Sequence, residues 1–210
     1  MTRAPAKTTK RRAAPVATGD GFIRAAALFS EAENFCRAVG LPHDLILTIA
    51  QQDSDWAFII KIDALLETAA KEIIRHALQL KILRRVFQNE TLTEFIESLP
   101  VRGRTSLIKL LEAACCPIED IGFIEATRRV RNAYAHNIKL VDVSLVDLIK
   151  QRGDKSELLK KLSSIATFDE AKLLASYEKD PKFLRFCIVD AAMRVLFFAY
   201  HVALKHKVTK

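Results

Sequence analysis

"DWAFIIKIDALLETAAKEIIRHALQL", residues 55–80, decides the fold. Ile59, Ile62, Leu66, Ala69, Ile73 and Leu80 return at the interval that places side chains on one face of an α-helix. Asp53 and Ser54 stand just ahead of it as N-cap residues. A helix this long and this apolar is expected at the centre of a bundle. On another face Asp63, Glu67, Lys71 and Arg75 step by four, which points to exposed ion pairing along the helix rather than to catalysis.

The flanking sequence extends the helical pattern in both directions. "FIRAAALFSEAENFCRA", 22–38, forms a helix stopped by Gly40 and Pro42, and a short helix over 43–52 follows. Downstream, "TLTEFIESL", 91–99, ends at Pro100, "VRGR" makes a basic turn, and "TSLIKLLEAACC", 105–116, resumes helical spacing up to Pro117. The next helix starts at Ile118 and runs into or through residues 128–137. Beyond it, "NIKLVDVSLVDLI", 137–149, has enough β-branched residues for a short strand or an extended connection, while Ser144 could instead cap a helix starting at Leu145. Arg152, Gly153 and Asp154 turn the chain into "KSELLKKLSSI", 155–165. Asp180 and Pro181 separate "DEAKLLASYEK", 169–179, from a final long helix to about residue 205. The expectation is an all-α bundle of about seven to eight helices in one domain, residues 21–210, without repeats or a Gly-rich phosphate loop.

Totals agree with that class. In 210 residues, half are hydrophobic and 28% charged, and only six glycines and six prolines interrupt the helices. The net charge of +8 is uneven: Arg3, Lys7, Lys10, Arg11 and Arg12 precede the first acidic residue, leaving 28 basic against 25 acidic side chains for the rest. Residues 1–20, "MTRAPAKTTKRRAAPVATGD", nearly lack large apolar groups and cannot offset ordering entropy by burial, so a disordered basic tail is expected. It has no apolar core of a secretory signal. It reads as a solvated segment weakly attracting polyanions, although its acid-poor composition also suits a transit peptide. "AAMRVLFFAYHVAL", 191–204, is interrupted by Arg194 and His201 and is expected to be a buried helix, with no membrane partner. Cys36, Cys115, Cys116 and Cys187 lack metal or redox spacing and are expected to be buried, reduced thiols of a cytoplasmic protein.

The chemistry-bearing stretch is "RRVRNAYAHN", 128–137. On an ideal helix, Ala126, Val130, Ala133 and Tyr134 fall within about 80° of Phe123 and form a core-facing stripe. Arg131 then lies near 80°, Arg128 near 140°, Asn132 near 180° and His136 near 220°, all on the polar half. Arg131 and His136 diverge by roughly 140°, so either the helix breaks before His136 or the two cooperate across a symmetric dimer. An Arg shortly before a His is weak by itself, since Arg194 and His201 form such a pair in apolar surroundings that suit core packing with polar tips at the surface.

Context separates the two: Asn132 directly follows Arg131, Ala135 precedes His136 and Asn137 follows it. "RNAYAHN" resembles the Arg-polar-x-x-x-His motif of the HEPN superfamily of small α-helical bundles. Residues 53–150 are similar to that superfamily in pattern, and the layout also resembles mannitol operon repressor-like proteins. The resemblance implies metal-independent RNA cleavage without a cofactor, with Arg131 and His136 acting at a cleft between two protomers and Asn132 assisting or orienting. A guanidinium suits a crowded anionic phosphate, and an imidazole, with an ordinary pKa of about 6.5, suits proton transfer from a 2′-hydroxyl. Arg128 and Arg129 are candidates for added RNA phosphate contacts, and Tyr134 is a core residue rather than a stacking platform. The implied partners are a second copy of the chain, RNA, and a cognate antitoxin if the protein is a toxin or defence effector. The alternative implied by the repressor-like layout is a non-enzymatic regulator acting through protein partners.

Overall fold

A computed structural model describes residues 19–81, 89–163 and 169–204. Among them are ten α-helices and no strand: α1 (Gly19–Ala38), α2 (Leu45–Ala50), α3 (Asp55–Lys81), α4 (Asn89–Ser98), α5 (Leu107–Ala113), α6 (Ile118–His136), α7 (Leu145–Lys150), α8 (Lys155–Ser163), α9 (Glu170–Lys179) and α10 (Pro181–Ala199). A one-turn 3₁₀ helix, Ile138–Leu140, follows α6, and α10 continues as a π-helical turn, Tyr200–Leu204. The all-α bundle is as expected, with ten described helices where about seven to eight were expected, and α7 settles a segment whose sequence allowed strand or helix. The expected tail lies outside the described residues apart from Gly19 and Asp20, which open α1.

The caps are local and follow from the sequence. Ser54 Oγ accepts from the Ala57 amide at the head of α3, Ser106 Oγ from Lys109 at α5 and Asp169 from Lys172 at α9. Asp180 accepts from Lys182 while Pro181 supplies a helical φ to the first turn of α10. The open question over 137–149 resolves as helix. Ser144 Oγ accepts from the Asp147 amide at 3.1 Å, and the otherwise orphaned Leu145 amide donates to Asp55 Oδ2 at 2.6 Å.

Helix α3 is the centre because it is apolar on more than one face. Ile59, Ile62, Leu66, Ala69 and Ile73 are buried as their spacing predicts, and Phe58, Leu65, Ala70 and Ile74 are buried beside them. The side chain of Leu80 lies outside the described residues. The widened stripe lets α3 pack against α6 on one flank and α10 on another, with α4 and α5 closing further sides. Each large side chain so enclosed contributes about 1.5–3 kcal/mol.

Helix α10 lies against α1, α3, α8 and α9. Together with its π turn it is long and apolar enough to cross a membrane, yet 56% of its most apolar stretch is buried within the bundle, as a core helix requires. Arg185 ties it down: its guanidinium donates to Asp55, to the Gln52 carbonyl and, at 3.1 Å, to the Asp53 carbonyl, and lies over the Phe58 ring. All four cysteines are free, and Cys36, Cys116 and Cys187 are buried. Burial pushes the Cys36 thiol up to about 11 and Cys116 to about 12. Cys115 departs from the expectation. It is exposed, because it holds the left-handed position (φ 59°) that ends α5 and points away from the core.

Candidate functional site

Helix α6 carries every residue of the candidate motif. It starts after Pro117 with Glu119 and Asp120 in its first turn, where carboxylates suit the positive end of the helix. Ile121, Phe123, Ile124, Ala126, Thr127, Val130 and Tyr134 form its buried face. Thr127 Oγ1 donates to the Phe123 carbonyl, which satisfies a hydroxyl that would otherwise be stranded in the core. Tyr134 is a core residue as expected, and its hydroxyl donates to the Val143 carbonyl at 2.9 Å. That bond pins the turn after α6 and so fixes where the helix releases the chain.

The helix does not break before His136: it ends on it, with Asn137 extended and capping the 3₁₀ turn by accepting from the Lys139 amide. Arg131 and His136 therefore diverge within one chain by about the 140° of an ideal helix. His136 is exposed, and its side chain makes no hydrogen bond or ion pair among the described residues. Beside it Ile138 is 82% exposed, an unusual display for a large aliphatic side chain.

Arg131 and Asn132 are brought together. Arg131 Nη1 donates to Asn132 Oδ1 at 3.2 Å, and Arg131 Nε lies 3.8 Å from Asp63 Oδ2 on α3. Arg128 and Arg129 are engaged elsewhere. Arg128 Nη1 pairs with Asp63 Oδ2 at 3.1 Å and its Nη2 with Glu67, while Arg129 Nη1 pairs with Glu157 at 3.0 Å and Asp154 at 3.5 Å. A phosphate reaching either arginine has to compete with carboxylates already in place.

Asp63 is the residue that sequence reasoning missed. The row Asp63, Glu67, Lys71 and Arg75 is not simply exposed pairing along one helix. Asp63 is only 4% exposed and faces α6. Glu67 bridges Arg128 and Lys71, and Lys71 and Arg75 both reach Glu97 of α4. Burial pushes the Asp63 carboxyl up to about 6 despite the pull of Arg128 and Arg131, with Glu67 adding to the rise. Burial works against the Glu67 charge as well, but hydrogen bonds from Arg128 and Lys71 hold that carboxyl below its usual range. A signal was present. Asp63 lies in the row Ile59, Asp63, Leu66, Ala70, where every other member is core.

A groove of about 370 Å³ lies apart from these residues, between α1, the start of α6 and the end of α10, lined by Arg24, Leu28, Asp120, Arg194, Phe197 and Phe198. Asp120 and His136 are separated along α6 by about 24 Å of helix. Arg194 belongs to this groove and pairs with Asp190 at 3.7 Å, whereas His201 turns its Nδ1 to the Phe197 carbonyl and its ring onto Phe197. His201 Nε2 also lies 3.9 Å from Glu31 Oε1, so each of the two has an acidic neighbour of its own. No group of three or more His, Cys, Asp or Glu among the described residues is placed to share a metal ion. Comparison with protein-family models, with curated proteins and with solved structures finds no match to this chain.

Proposed function

We propose that the protein is a metal-independent endoribonuclease of the HEPN type, in which Arg131 stabilises the scissile phosphate and His136 transfers the proton. One observation carries this: Arg131 is braced by Asn132 at 3.2 Å but held off from its nearest carboxylate at 3.8 Å. It stays partly exposed, on the same helix whose last residue is the unengaged, exposed His136. A guanidinium captured by a close ion pair is spent on structure, and this one is not. Because the two side chains diverge by roughly 140°, a complete site takes Arg131 from one protomer and His136 from a second copy. RNA is the substrate class because its 2′-hydroxyl supplies the nucleophile that imidazole can deprotonate. A toxin or defence role with a cognate antitoxin fits such an activity.

Purified protein is expected to cleave single-stranded RNA in EDTA. Arg131→Ala and His136→Ala are expected to fold normally and to lose at least about 100-fold in rate. Equal cleavage by the wild type and both variants identifies a contaminant and ends this reading.

A second reading, a non-enzymatic regulator working through a protein partner, is favoured by a different observation. Phe183, Phe186 and Phe197 of α10 are all exposed, Phe186 at 64%, and fall within about 60° of one another on the helix. A specific partner that binds His136→Ala as well as wild type but not Phe186→Ser supports it.

A further inference from the structure

We propose that Asp63 is the positioning residue of Arg131: a carboxylate on α3, shut away from water, that sets the aim of the guanidinium offered to phosphate. The inference rests on the ribonuclease reading for what Arg131 does, but the geometry behind it is independent of that reading. Asp63 is the one charged side chain buried among the described residues. Its Oδ2 faces two guanidinium groups, Arg128 Nη1 at 3.1 Å and Arg131 Nε at 3.8 Å. Arg128 has a second carboxylate in Glu67, whereas Arg131 has no other among the described residues. Removing Asp63 therefore leaves Arg128 paired and Arg131 without its acidic neighbour.

The fork of Arg131 is oriented through two of its three nitrogens. Nε is drawn toward Asp63 and Nη1 is tied to Asn132 Oδ1, which leaves Nη2 without a protein partner among the described residues. A planar guanidinium hydrogen-bonded at one corner and drawn electrostatically at another is held to a narrow range of orientations. The longer separation matters, because a carboxylate at 3.8 Å steers a cation without capturing it. A buried carboxylate is costly to keep charged, and Asp63 shares its charge between the largely buried Arg128 and the partly exposed Arg131. Because Arg128 also has Glu67, the field of Asp63 is not used up by that pair and still acts on Arg131.

The test uses the full chain and two readouts. The Arg131 Nε–Hε resonance, identified by its loss in Arg131→Lys, reports the guanidinium directly in the free protein. RNA cleavage in EDTA reports the consequence. In Asp63→Asn the resonance is expected to move and its hydrogen to exchange several-fold faster. The kcat for RNA is expected to fall at least about tenfold with KM little changed. Asp63→Asn with Arg131→Ala is expected to be no slower than Arg131→Ala alone. An unmoved resonance overturns the inference, as does full additivity between positions 63 and 131. If the wild type shows no cleavage that depends on Arg131 and His136, the ribonuclease reading fails, and the resonance alone decides the positioning role. If Asp63→Asn does not fold, wild type is titrated through the Asp63 ionisation, on which Arg128 and Arg131 from α6 and Glu67 from α3 act. A resonance that stays flat across it then overturns the inference.

Discussion

Cys115 holds at the end of α5 the same left-handed position that Gly40 holds at the end of α1. Both close a Schellman motif: Cys116 and Cys115 amides donate to the Leu111 and Glu112 carbonyls, and Leu41 and Gly40 amides to those of Cys36 and Arg37. The φ values are 59° and 76°, which glycine adopts freely and a side chain does not. Cys115 is exposed, so truncating it removes no core packing. Cys115→Gly is expected to stabilise the protein by about 1 kcal/mol and raise Tm by about 2–4 °C. Gly40→Ala is expected to lose about 1 kcal/mol although its added methyl meets no atom within 4 Å, because the loss is in the backbone. Urea unfolding of the two variants checks both signs.

Arg185 and Asp55 form a clamp that no single neighbour can replace. Arg185 serves three acceptors in the α2–α3 connection, and Asp55 in turn accepts from the Leu145 amide of α7. The pair is only 18% and 14% exposed, so breaking it strands a charge where water reaches poorly. Arg185→Ala is expected to cost about 3 kcal/mol, and Arg185→Lys to recover little of that, since one ammonium cannot span a forked set of acceptors. Equal stability of Arg185→Lys and wild type in urea refutes the fork argument.

What could be read in the sequence was what neighbours along the chain decide. Ser54 and Ser144 cap helices because a side-chain oxygen reaches an amide three residues on, and the central stripe of α3 follows from helical spacing alone. The polar half of α6 was legible for the same reason. Asp63 was misassigned because its burial depends on what α6 places opposite it, and a charge at i,i+4 from others reads as solvated until that face is covered. Cys115 was misassigned because Pro117 marks the restart of the chain but not which residue before it turns left-handed. The groove at Arg194 assembles from three helices far apart in sequence, and no spacing within one of them announces it.

The raised Asp63 carboxyl has a pH signature opposite to that of a paired surface carboxylate. In the unfolded chain it titrates near its ordinary value of 3.8, in the fold at about 6, so between those values the folded state holds the extra proton. Stability from this group is present below pH 4 and is lost as pH rises toward 6 and beyond. Relative to wild type, Asp63→Asn is therefore expected to gain about 2 kcal/mol between pH 4 and pH 7, whatever its starting offset. Urea midpoints of the two proteins over that range check it. A constant difference between them means that Asp63 titrates alike in the folded and unfolded states.

The divergence of Arg131 and His136 on α6 makes a quantitative demand on the ribonuclease reading. If each site joins Arg131 of one chain to His136 of its partner, a heterodimer of Arg131→Ala and His136→Ala chains has one site with neither residue and one with both. Random pairing at equal amounts makes half the dimers heterodimers, each with one working site of two, so about a quarter of wild-type activity should return. Neither variant alone recovers any. Mixing after partial unfolding and refolding, with dissimilar tags to confirm heterodimers, measures this directly. Heterodimers that remain inactive, or wild-type activity that persists in a verified monomer, sink the two-chain site, and with it the role assigned to His136.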